Sequence, residues 1–342
     1  MTPAPPLLAA AGLSCRFLVS TPGWLARLRG VRAVQVHAVS DVSLQVAPHE
    51  ALGLVGESGC GKSTLGRMLA GILPPTEGGV LWKGQPTSAL QGRARRDWAL
   101  GVQMVFQDPH SSLNPRRRVV DLLAEAPMLH GMVPRAGLRD YAAGLLDEVG
   151  LDRSALDSLP HQFSGGQRQR IGIARALAVR PAALVCDEAV SALDVSVQAQ
   201  VINLLADLRA KRGLALLFIG HDLTVVRHLA DRVAVMYLGR IVEDGPAAEV
   251  FARPAHPYTA ALLEQMPRLE PGRKRFKPLR GELPSPLRPP GGCAFHPRCP
   301  HAFDRCRQER PLLAVVAPGQ RAACHLHGQG GQSRHIFAAG AV

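Results

Sequence analysis

The fold of this chain is decided by the stretch Gly56-Glu57-Ser58-Gly59-Cys60-Gly61-Lys62-Ser63, which has the spacing of the phosphate-binding loop, G-x-x-x-x-G-K-[ST]. An apolar run at residues 52–55 precedes it, and a run with helical spacing at residues 64–72 follows it and stops before Pro74. The motif requires this order of strand, glycine loop and helix. We therefore predict an α/β core with a nucleotide phosphate site, and not a glycine turn that matches by chance.

The residue types in this loop suit the phosphates of ATP. Its glycines let backbone N–H groups and the N-terminus of the next helix point at phosphate oxygens, and Lys62 reaches the β and γ phosphates. The Ser63 hydroxyl suits Mg²⁺, and the Thr64 hydroxyl suits the α phosphate. The expected ATP contacts in the loop are Gly56, Ser58, Gly59, Gly61, Lys62, Ser63 and Thr64.

Two adjacent carboxylates, Asp187 and Glu188, end a second apolar run at residues 183–186. Carboxylates at the end of a buried strand cost free energy unless a cation or water lies there. Asp187 is suited to hold Mg²⁺ through its hydration shell, and Glu188 to polarise the water that attacks the γ phosphate. Alone, this pair predicts only the chemistry of phosphate-binding-loop ATPases.

Strand and helix patterns alternate along much of the chain. Further runs typical of buried strands lie at residues 34–46, 102–106, 214–219 and 233–237. Helical patterns lie at residues 119–130, 137–150, 167–179, 197–211 and 223–229. The alternation predicts parallel strands joined by crossover helices, and the three consecutive helices predict a helical insertion at about 108–180.

The composition changes beyond residue 250, where prolines and cysteines become frequent. We expect a core domain over residues 1–250, a small Cys/Pro-rich extension over 251–327, and a loose tail over 328–342. At 342 residues and 46% hydrophobic content, the chain is long enough for one globular domain with such an accessory segment.

The chain is strongly basic, with a net charge of +13. Such a charge is compatible with binding to nucleic acid, with attraction to an anionic membrane surface, or with a general bias of the composition that serves no ligand. Only five of the 40 basic residues are lysine, the arginines are spread along the chain, and aromatic residues make up only 4%. Because the arginines are dispersed and few aromatic rings are present to stack on bases, we favour a general bias of the composition. The charge would then make only a small contribution to affinity for a membrane surface. We therefore expect no nucleic-acid partner.

No apolar stretch is long enough for a transmembrane helix, which needs about 18 residues. Residues 1–11 lack the basic region, long apolar run and small-residue cleavage site of a secretory signal. We therefore expect a cytoplasmic protein with no membrane-spanning segment of its own.

Ser164-Gly165-Gly166-Gln167 precedes a helical pattern and supplies a second helix N-terminus suited to an anion. Here the sequence resembles the ABC ATPase family, whose signature is Leu-Ser-Gly-Gly-Gln, with Phe163 in the leucine position. The resemblance implies a parallel sheet with flanking helices, an antiparallel β portion and a helical insertion. It also implies a head-to-tail dimer in which Ser164 and Gly166 contact the γ phosphate of ATP held by the other chain.

Three further positions fit the family in order: Gln107, then Asp194 in Ser191-Ala192-Leu193-Asp194, then His221. The resemblance implies that Gln107 binds Mg²⁺ and senses the permease, that Asp194 organises the dimer seam, and that His221 contacts the γ phosphate. Phe17 fits best as the aromatic residue that stacks on adenine, and Trp24 is its rival.

Longer motifs are similar to the oligopeptide, dipeptide and nickel importer branch of this family. They include Met104-Val105-Phe106-Gln107-Asp108-Pro109, His256-Pro257-Tyr258-Thr259 and Gly281-Glu282-Leu283-Pro284-Ser285-Pro286. The branch implies an ATPase that energises peptide import, placed peripherally on the cytoplasmic face of the inner membrane. Its implied partners are a second ATPase subunit, two permease subunits and an extracytoplasmic binding protein.

Several alternatives remain at this point. The same role in a nickel or other small-solute importer is open, because the ATPase does not touch the transported solute. Both a heterodimer, common in the branch, and a homodimer are open. A soluble ABC ATPase of DNA repair or translation is disfavoured, because the sequence carries no second phosphate-binding loop and no heptad run.

Four cysteines crowd the C-terminal part with the spacing C-x5-C-x6-C-x17-C: Cys293, Cys299, Cys306 and Cys324. In a cytoplasmic protein such a cluster suggests a metal before a disulfide, although this spacing is neither a zinc ribbon nor a ferredoxin. The resemblance to the importer branch implies a [4Fe-4S] cluster. Neighbouring His296, His301 and His325 keep zinc open, and free thiols are the third alternative.

Overall fold

The computed structural model describes residues 5–20, 34–108, 112–191, 193–266 and 281–328. The strands are β1 (Leu8–Ser20), β2 (Val34–Val46), β3 (Ala51–Val55), β4 (Glu77–Trp82), β5 (Gln85–Pro86), β6 (Val102–Val105), β7 (Ala183–Asp187), β8 (Ala215–Gly220), β9 (Arg232–Tyr237), β10 (Arg240–Pro246), β11 (Ala314–Ala317) and β12 (Gln320–Ala322). The helices are α1 (Lys62–Leu69), α2 (Gly92–Gly101), α3 (Val119–Leu129), α4 (Leu138–Glu148), α5 (Gly165–Leu177), α6 (Val195–Arg212), α7 (Leu223–Leu229), α8 (Ala247–Ala252), α9 (Pro257–Glu264) and α10 (Asp304–Gln308).

An eight-stranded sheet forms the centre, in the order β11-β12-β10-β9-β3-β8-β7-β6. The five strands from β9 to β6 pair in parallel, whereas β10, β12 and β11 pair antiparallel. Every residue of β3, β7 and β8 is buried. Helices and a second sheet cover both faces, which is why these strands are nearly continuous apolar runs in the sequence.

A separate antiparallel sheet has the order β2-β1-β4-β5. Its strand β2 alternates at its end, with Val42, Leu44 and Val46 buried and the residues between them exposed. One face of this sheet therefore packs inward and the other meets solvent. It is the antiparallel portion that the family resemblance implied.

Two apolar cores lie on opposite faces of the central sheet, because successive residues of a strand point to opposite faces. Ala51 and Val55 of β3 join the core that contains the helices of the insertion. Leu52 and Leu54 of the same strand join the core beneath β1, β2 and α1. The phosphate-binding loop, which follows β3, is therefore anchored by both cores.

The α/β fold class predicted from the sequence is confirmed, and its predicted strands and helices lie within a few residues of the observed ones. Between β6 and β7 the described residues contain the expected helices α3, α4 and α5. Local patterns did not indicate β1, β4, β10 or α2, because glycines interrupt them or arginines are frequent in them. The short strand β5 and the elements β11, β12, α8, α9 and α10 were not predicted either. Among the described residues, no helix is both long and apolar enough to cross a bilayer.

The described residues beyond 250, at 251–266 and 281–328, are called the C-terminal segment below. This segment joins the central sheet, because its strand β12 pairs with β10. Glu243 of β10 is fully buried and accepts hydrogen bonds from the backbone N–H groups of Ala255 and His256 and from the side chain of Gln320. Burial raises the pKa of Glu243, and these donors oppose the shift. Of the tail expected at 328–342, all but Gly328 lies outside the described residues.

Gly53 of β3 offers a test of the packing between the central sheet and α7. A methyl group added there would lie 2.3 Å from Val226 Cγ1 and 3.2 Å from Ala230 Cβ, so neighbouring atoms would have to move. We expect Gly53→Ala to lower the free energy of unfolding by about 1–3 kcal/mol, measured by urea denaturation followed by circular dichroism.

Gly79→Ala in β4 is the matched control, because no described heavy atom lies within 4 Å of its added Cβ. If the two alanine variants unfold at the same urea concentration, Gly53 of β3 does not pack closely against α7.

Candidate nucleotide-binding site

The residues expected to act on ATP follow neighbouring parallel strands. Strand β3 pairs with β8, β8 with β7, and β7 with β6, all in parallel. The carboxyl ends of parallel strands meet at one edge of the sheet, where open α/β folds bind ligands. Directly after three of these strands come Gly56, Glu188 and His221, and Asp187 is the last residue of β7. Gln107 is the second residue after β6.

The loop between β3 and α1 approaches the backbone of two other segments too closely for any side chain. At Gly61, with φ +106°, a Cβ atom would lie 2.0 Å from the carbonyl oxygen of Ala38. At Gly56 it would lie 2.2 Å from the carbonyl oxygen of Met236. Glycine at these positions therefore lets the loop seat against the sheet.

Lys62, the first residue of α1, is buried, and its ammonium group donates to the carbonyl oxygens of Gly56 at 2.8 Å and Glu57 at 3.0 Å. The loop curls around this side chain. Ser58 and Gly59 are exposed at the rim, and Thr64 is half-buried in the first turn of α1. The predicted loop contacts thus surround the N-terminus of α1, where backbone N–H groups attract anions.

Ser63 and Asp187 meet although they lie 124 positions apart in the chain. The Ser63 hydroxyl donates to Asp187 Oδ1 at 2.6 Å. Burial raises the pKa of Asp187, and the hydrogen bond from Ser63 opposes the shift. A hydroxyl and a carboxylate are hard oxygen ligands, so the pair fits Mg²⁺.

Glu188 brings together two of the other predicted residues. Gln107 Nε2 donates to Glu188 Oε2 at 2.9 Å, and His221 Nδ1 lies 3.7 Å from Glu188 Oε1. Glu188 has φ +45°, an uncommon conformation for a residue with a side chain, and its N–H donates to the carbonyl of Ile219 at 3.0 Å. The Glu188 carboxylate therefore lies between the amide of Gln107, which donates to it, and the imidazole of His221.

Ser164, Gly165, Gly166 and Gln167 form the start of α5. The Ser164 hydroxyl accepts from the Gln167 N–H at 3.3 Å, and Gln167 Oε1 accepts from the Ser164 N–H at 2.9 Å, which is a capping box. A Cβ on Gly166 would lie 2.3 Å from Val197 Cγ1 of α6. Ser164, Gly165 and Gln167 are exposed, so this helix N-terminus faces solvent.

Asp194 precedes α6 and is exposed, and beside it Val195 is 84% exposed. Phe17 lies on β1 opposite Val36 and is 41% exposed. Its rival as adenine-stacking residue, Trp24, lies outside the described residues. The choice between the two aromatic residues stays a prediction.

Two family models match the chain: "ABC transporter" over residues 39–191, and "Oligopeptide/dipeptide transporter, C-terminal region" over residues 242–306. A probable peptide ABC transporter ATP-binding protein of Sinorhizobium fredii is 52% identical over 85% of this chain and 83% of its own length. A dipeptide transport ATP-binding protein of Haemophilus influenzae is 46% identical over 93% of this chain and 96% of its own length. The chain belongs to the ABC transporter ATP-binding proteins.

A solved structure supports the same assignment. The cbiO1 protein of Clostridium perfringens, part of an ABC transporter complex, superimposes with a TM-score of 0.60 at 25% identity, over 72% of this chain and 91% of that one. The protein is thus an ABC-type ATPase, an enzyme that uses ATP with Mg²⁺.

Two residues of this ABC ATPase that the sequence analysis missed contact its phosphate-binding loop. Tyr258 and Arg298 both bind Glu57, a position that the loop motif leaves unspecified. They lie 201 and 241 positions from Glu57, so no local pattern could have pointed to the contact.

The four clustered cysteines of the ABC ATPase line one narrow pocket together with His296, His301 and His325. The four cysteines are free thiols. Burial raises the pKa of Cys293 to about 11 and that of Cys324 to about 12. In the described part of the chain, no group of three or more His, Cys, Asp or Glu side chains is arranged to hold a metal ion. The metal expected from the sequence is therefore unsupported by this arrangement.

Replacing Glu188 with glutamine tests the arrangement at the strand edge. The amide oxygen still accepts the hydrogen bond from Gln107, but the amide is no base for the attacking water. We expect Mg²⁺–ATP binding to remain, a closed dimer to accumulate, and kcat to fall by about 10²–10⁴-fold in a phosphate-release assay.

The matched control is Glu148→Gln, which removes a carboxylate paired with Arg212 at 2.6 Å on the outer surface. Steady-state hydrolysis at the wild-type rate by Glu188→Gln would remove Glu188 from the catalytic role. An equal loss in Glu148→Gln would attribute the effect to general destabilisation.

Proposed function

We propose that this ABC ATPase energises the import of di- or oligopeptides across the cytoplasmic membrane. The observation that carries the proposal is the match of residues 242–306 to the C-terminal region of oligopeptide and dipeptide transporters, beyond the ATPase match at 39–191. The relatives from S. fredii and H. influenzae, whose names include peptide and dipeptide transport, agree with it along most of both chains.

In the proposed ATP complex, the loop N–H groups at Gly56, Ser58, Gly59 and Gly61 bind phosphate oxygens. Lys62 pairs with the β and γ phosphates, and the Thr64 hydroxyl binds the α phosphate. Ser63, Gln107 and Asp187 are the residues that would hold Mg²⁺, which neutralises charge on the β and γ phosphate oxygens. The 2.6 Å contact of Ser63 with Asp187 supports this ligand set.

For hydrolysis, we assign Glu188 as the group that accepts a proton from the attacking water. Oxygen of that water bonds to the γ phosphorus as the bond to the β–γ bridging oxygen breaks, giving ADP and phosphate. The hydrogen bond from Gln107 at 2.9 Å orients the carboxylate, and His221, 59% exposed, can turn to the γ phosphate.

A second ATPase subunit completes the proposed site. A solvent-facing helix N-terminus is formed by Ser164, Gly165, Gly166 and Gln167. The exposed Asp194 and Val195 follow Leu193, whose Cδ2 lies 3.6 Å from the position of a Cβ on Gly165. In a head-to-tail dimer this surface would meet the γ phosphate bound by the partner. The partner is a homologous ATPase in the heterodimer form or a second copy of this chain in the homodimer form.

The proposed complex adds two permease subunits and an extracytoplasmic binding protein, and places the ATPase peripherally on the cytoplasmic face. We assign residues 1–250 to the ATPase domain, 251–327 to the extension and 328–342 to a tail. The joining of β12 to β10 means that the proposed extension shares its sheet with the ATPase domain.

Affinity purification from detergent-solubilised membranes tests this function. We expect two permeases to be recovered with the chain, and peptide plus binding protein to stimulate ATP hydrolysis by the purified complex. Mass spectrometry identifies the partners, and a second ATPase sequence in the same complex distinguishes a heterodimer from a homodimer.

Nickel or another small solute in place of peptide provides the matched arm of that assay. Stimulation by the solute and not by peptide would keep the transporter role and reject the peptide substrate. A partnerless protein whose ATPase responds to nucleic acid would reject both.

For the cysteine pocket, we propose a [4Fe-4S] cluster, with zinc as the alternative. The proposal rests on the chemistry of the side chains, since four cysteines line one narrow pocket and thiolates bind both iron–sulfur clusters and zinc. It does not rest on their geometry, because the described side chains form no group arranged to hold a metal ion.

Cys299→Ser is expected to abolish visible absorbance and bound iron, with little change in ATP affinity, measured by spectroscopy and elemental analysis. Cys15→Ser is the control, because Cys15 is buried on β1, away from the pocket. Zinc without visible absorbance in the wild type would select the alternative. Wild-type protein purified without oxygen and containing neither metal would reject both.

A further inference from the structure

Glu57, the second residue of the phosphate-binding loop, is held by two residues from the C-terminal segment. Arg298 Nη1 and Nη2 donate to Glu57 Oε2 and Oε1 at 2.6 and 2.9 Å. The backbone N–H of Glu57 donates to Tyr258 Oη at 2.8 Å. Both the carboxylate and the peptide group of one loop residue are therefore bound from outside the loop.

The ion pair is largely shielded from water, since the Arg298 side chain is 4% exposed and that of Glu57 is 26% exposed. A bidentate arginine–carboxylate pair constrains orientation as well as distance. Shielding also protects the pair from screening by salt, unlike a surface pair. Loss of either partner would leave the other charge poorly hydrated, so the contact resists opening.

The residues that hold Glu57 are themselves packed firmly. The Tyr258 ring lies 4.6 Å from the Tyr237 ring and 5.4 Å from the Phe295 ring, measured between centroids. His256 Nδ1 accepts a hydrogen bond from the Tyr258 N–H at 3.0 Å. Burial lowers the pKa of His256 to about 3, so the imidazole stays neutral and remains an acceptor. Glu57 is thus bound by residues whose own positions are fixed by packing.

The contacts of Lys62 explain why the position of Glu57 has to be held by residues outside the loop. Its ammonium group has three donors, and two of them are directed at the carbonyl oxygens of Gly56 and Glu57. Binding oxygens of both the β and the γ phosphate takes two donors, so at least one carbonyl contact must be given up. The Glu57 peptide would then keep its place through Tyr258 and Arg298.

We propose that Arg298 and Tyr258 are positioning residues for ATP binding, which act through Glu57 to hold the phosphate-binding loop open for the phosphates. The C-terminal segment is then part of the nucleotide site as well as a mark of the transporter branch. The inference rests on the ATP-binding role proposed for the loop, and is independent of which solute is transported.

The test measures the Kd for a fluorescent ATP analogue with Mg²⁺, and the KM and kcat for ATP, on the full chain. Arg298→Gln should raise Kd and KM by about tenfold while kcat changes by less than about threefold, because ground-state binding of phosphate is what the loop provides. Arg298→Lys, which keeps the charge but not the bidentate geometry, should recover part of the affinity. Tyr258→Phe removes one hydroxyl group and should raise Kd in the same direction by about threefold.

Two further variants separate positioning from general loosening. Arg321→Gln is the matched control, because Arg321 also joins the C-terminal segment to the core, through Asp244, and lies outside the loop contacts. It should leave Kd unchanged. If Arg298 acts through Glu57, adding Arg298→Gln to Glu57→Gln should weaken binding little beyond Glu57→Gln alone.

Wild-type Kd in folded Arg298→Gln and Tyr258→Phe would overturn the inference, as would an equal loss of affinity in Arg321→Gln. Should Arg298→Gln fail to fold, Tyr258→Phe decides, since it deletes a single oxygen atom. The proposed function fails separately: a protein whose ATP affinity depends on Arg298, but whose ATPase ignores peptide and permeases, would keep this inference and reject peptide import.

Discussion

Parallel pairing of β3, β8, β7 and β6 is the constraint from which the nucleotide site follows. It places the loop after β3, the carboxylates Asp187 and Glu188, and His221 at one edge of the sheet. A shift of one residue in any pairing would exchange the two faces of a strand and carry its side chains into the wrong core. The two apolar cores therefore hold the strands that carry these residues in register, which explains why so much of the strand sequence is apolar.

Close approach of backbone to backbone is the second requirement of the site. Gly56 and Gly61 seat the loop against the carbonyl oxygens of Met236 and Ala38, with no room for a side chain. Glu57 lies between these two fixed points, and the C-terminal segment binds it through Arg298 and Tyr258. Because Arg298 directly precedes Cys299, the same turn carries a loop contact and one wall of the cysteine pocket.

Burial separates the two halves of the proposed site. Lys62 and Asp187 are buried within one chain, where their partners are already in place. Ser164, Gly165 and Gln167 face solvent, and their capping box leaves the helix ordered before any partner arrives. An ordered helix N-terminus loses little conformational entropy when it meets a phosphate, which lowers the cost of binding.

Local sequence patterns were sufficient to predict the fold class, the parallel strands around the loop and the residues that lie where those strands end. They were sufficient because motif spacing and apolar periodicity are local, and because chain order decides which strand ends carry Gln107, Asp187 and His221. Only the tertiary structure revealed the contacts of Arg298 and Tyr258 with Glu57, the convergence of the cysteines, and the strands β1, β4 and β10. These depend on groups up to 241 positions apart, and nothing in a local pattern encodes which distant side chains packing will bring together.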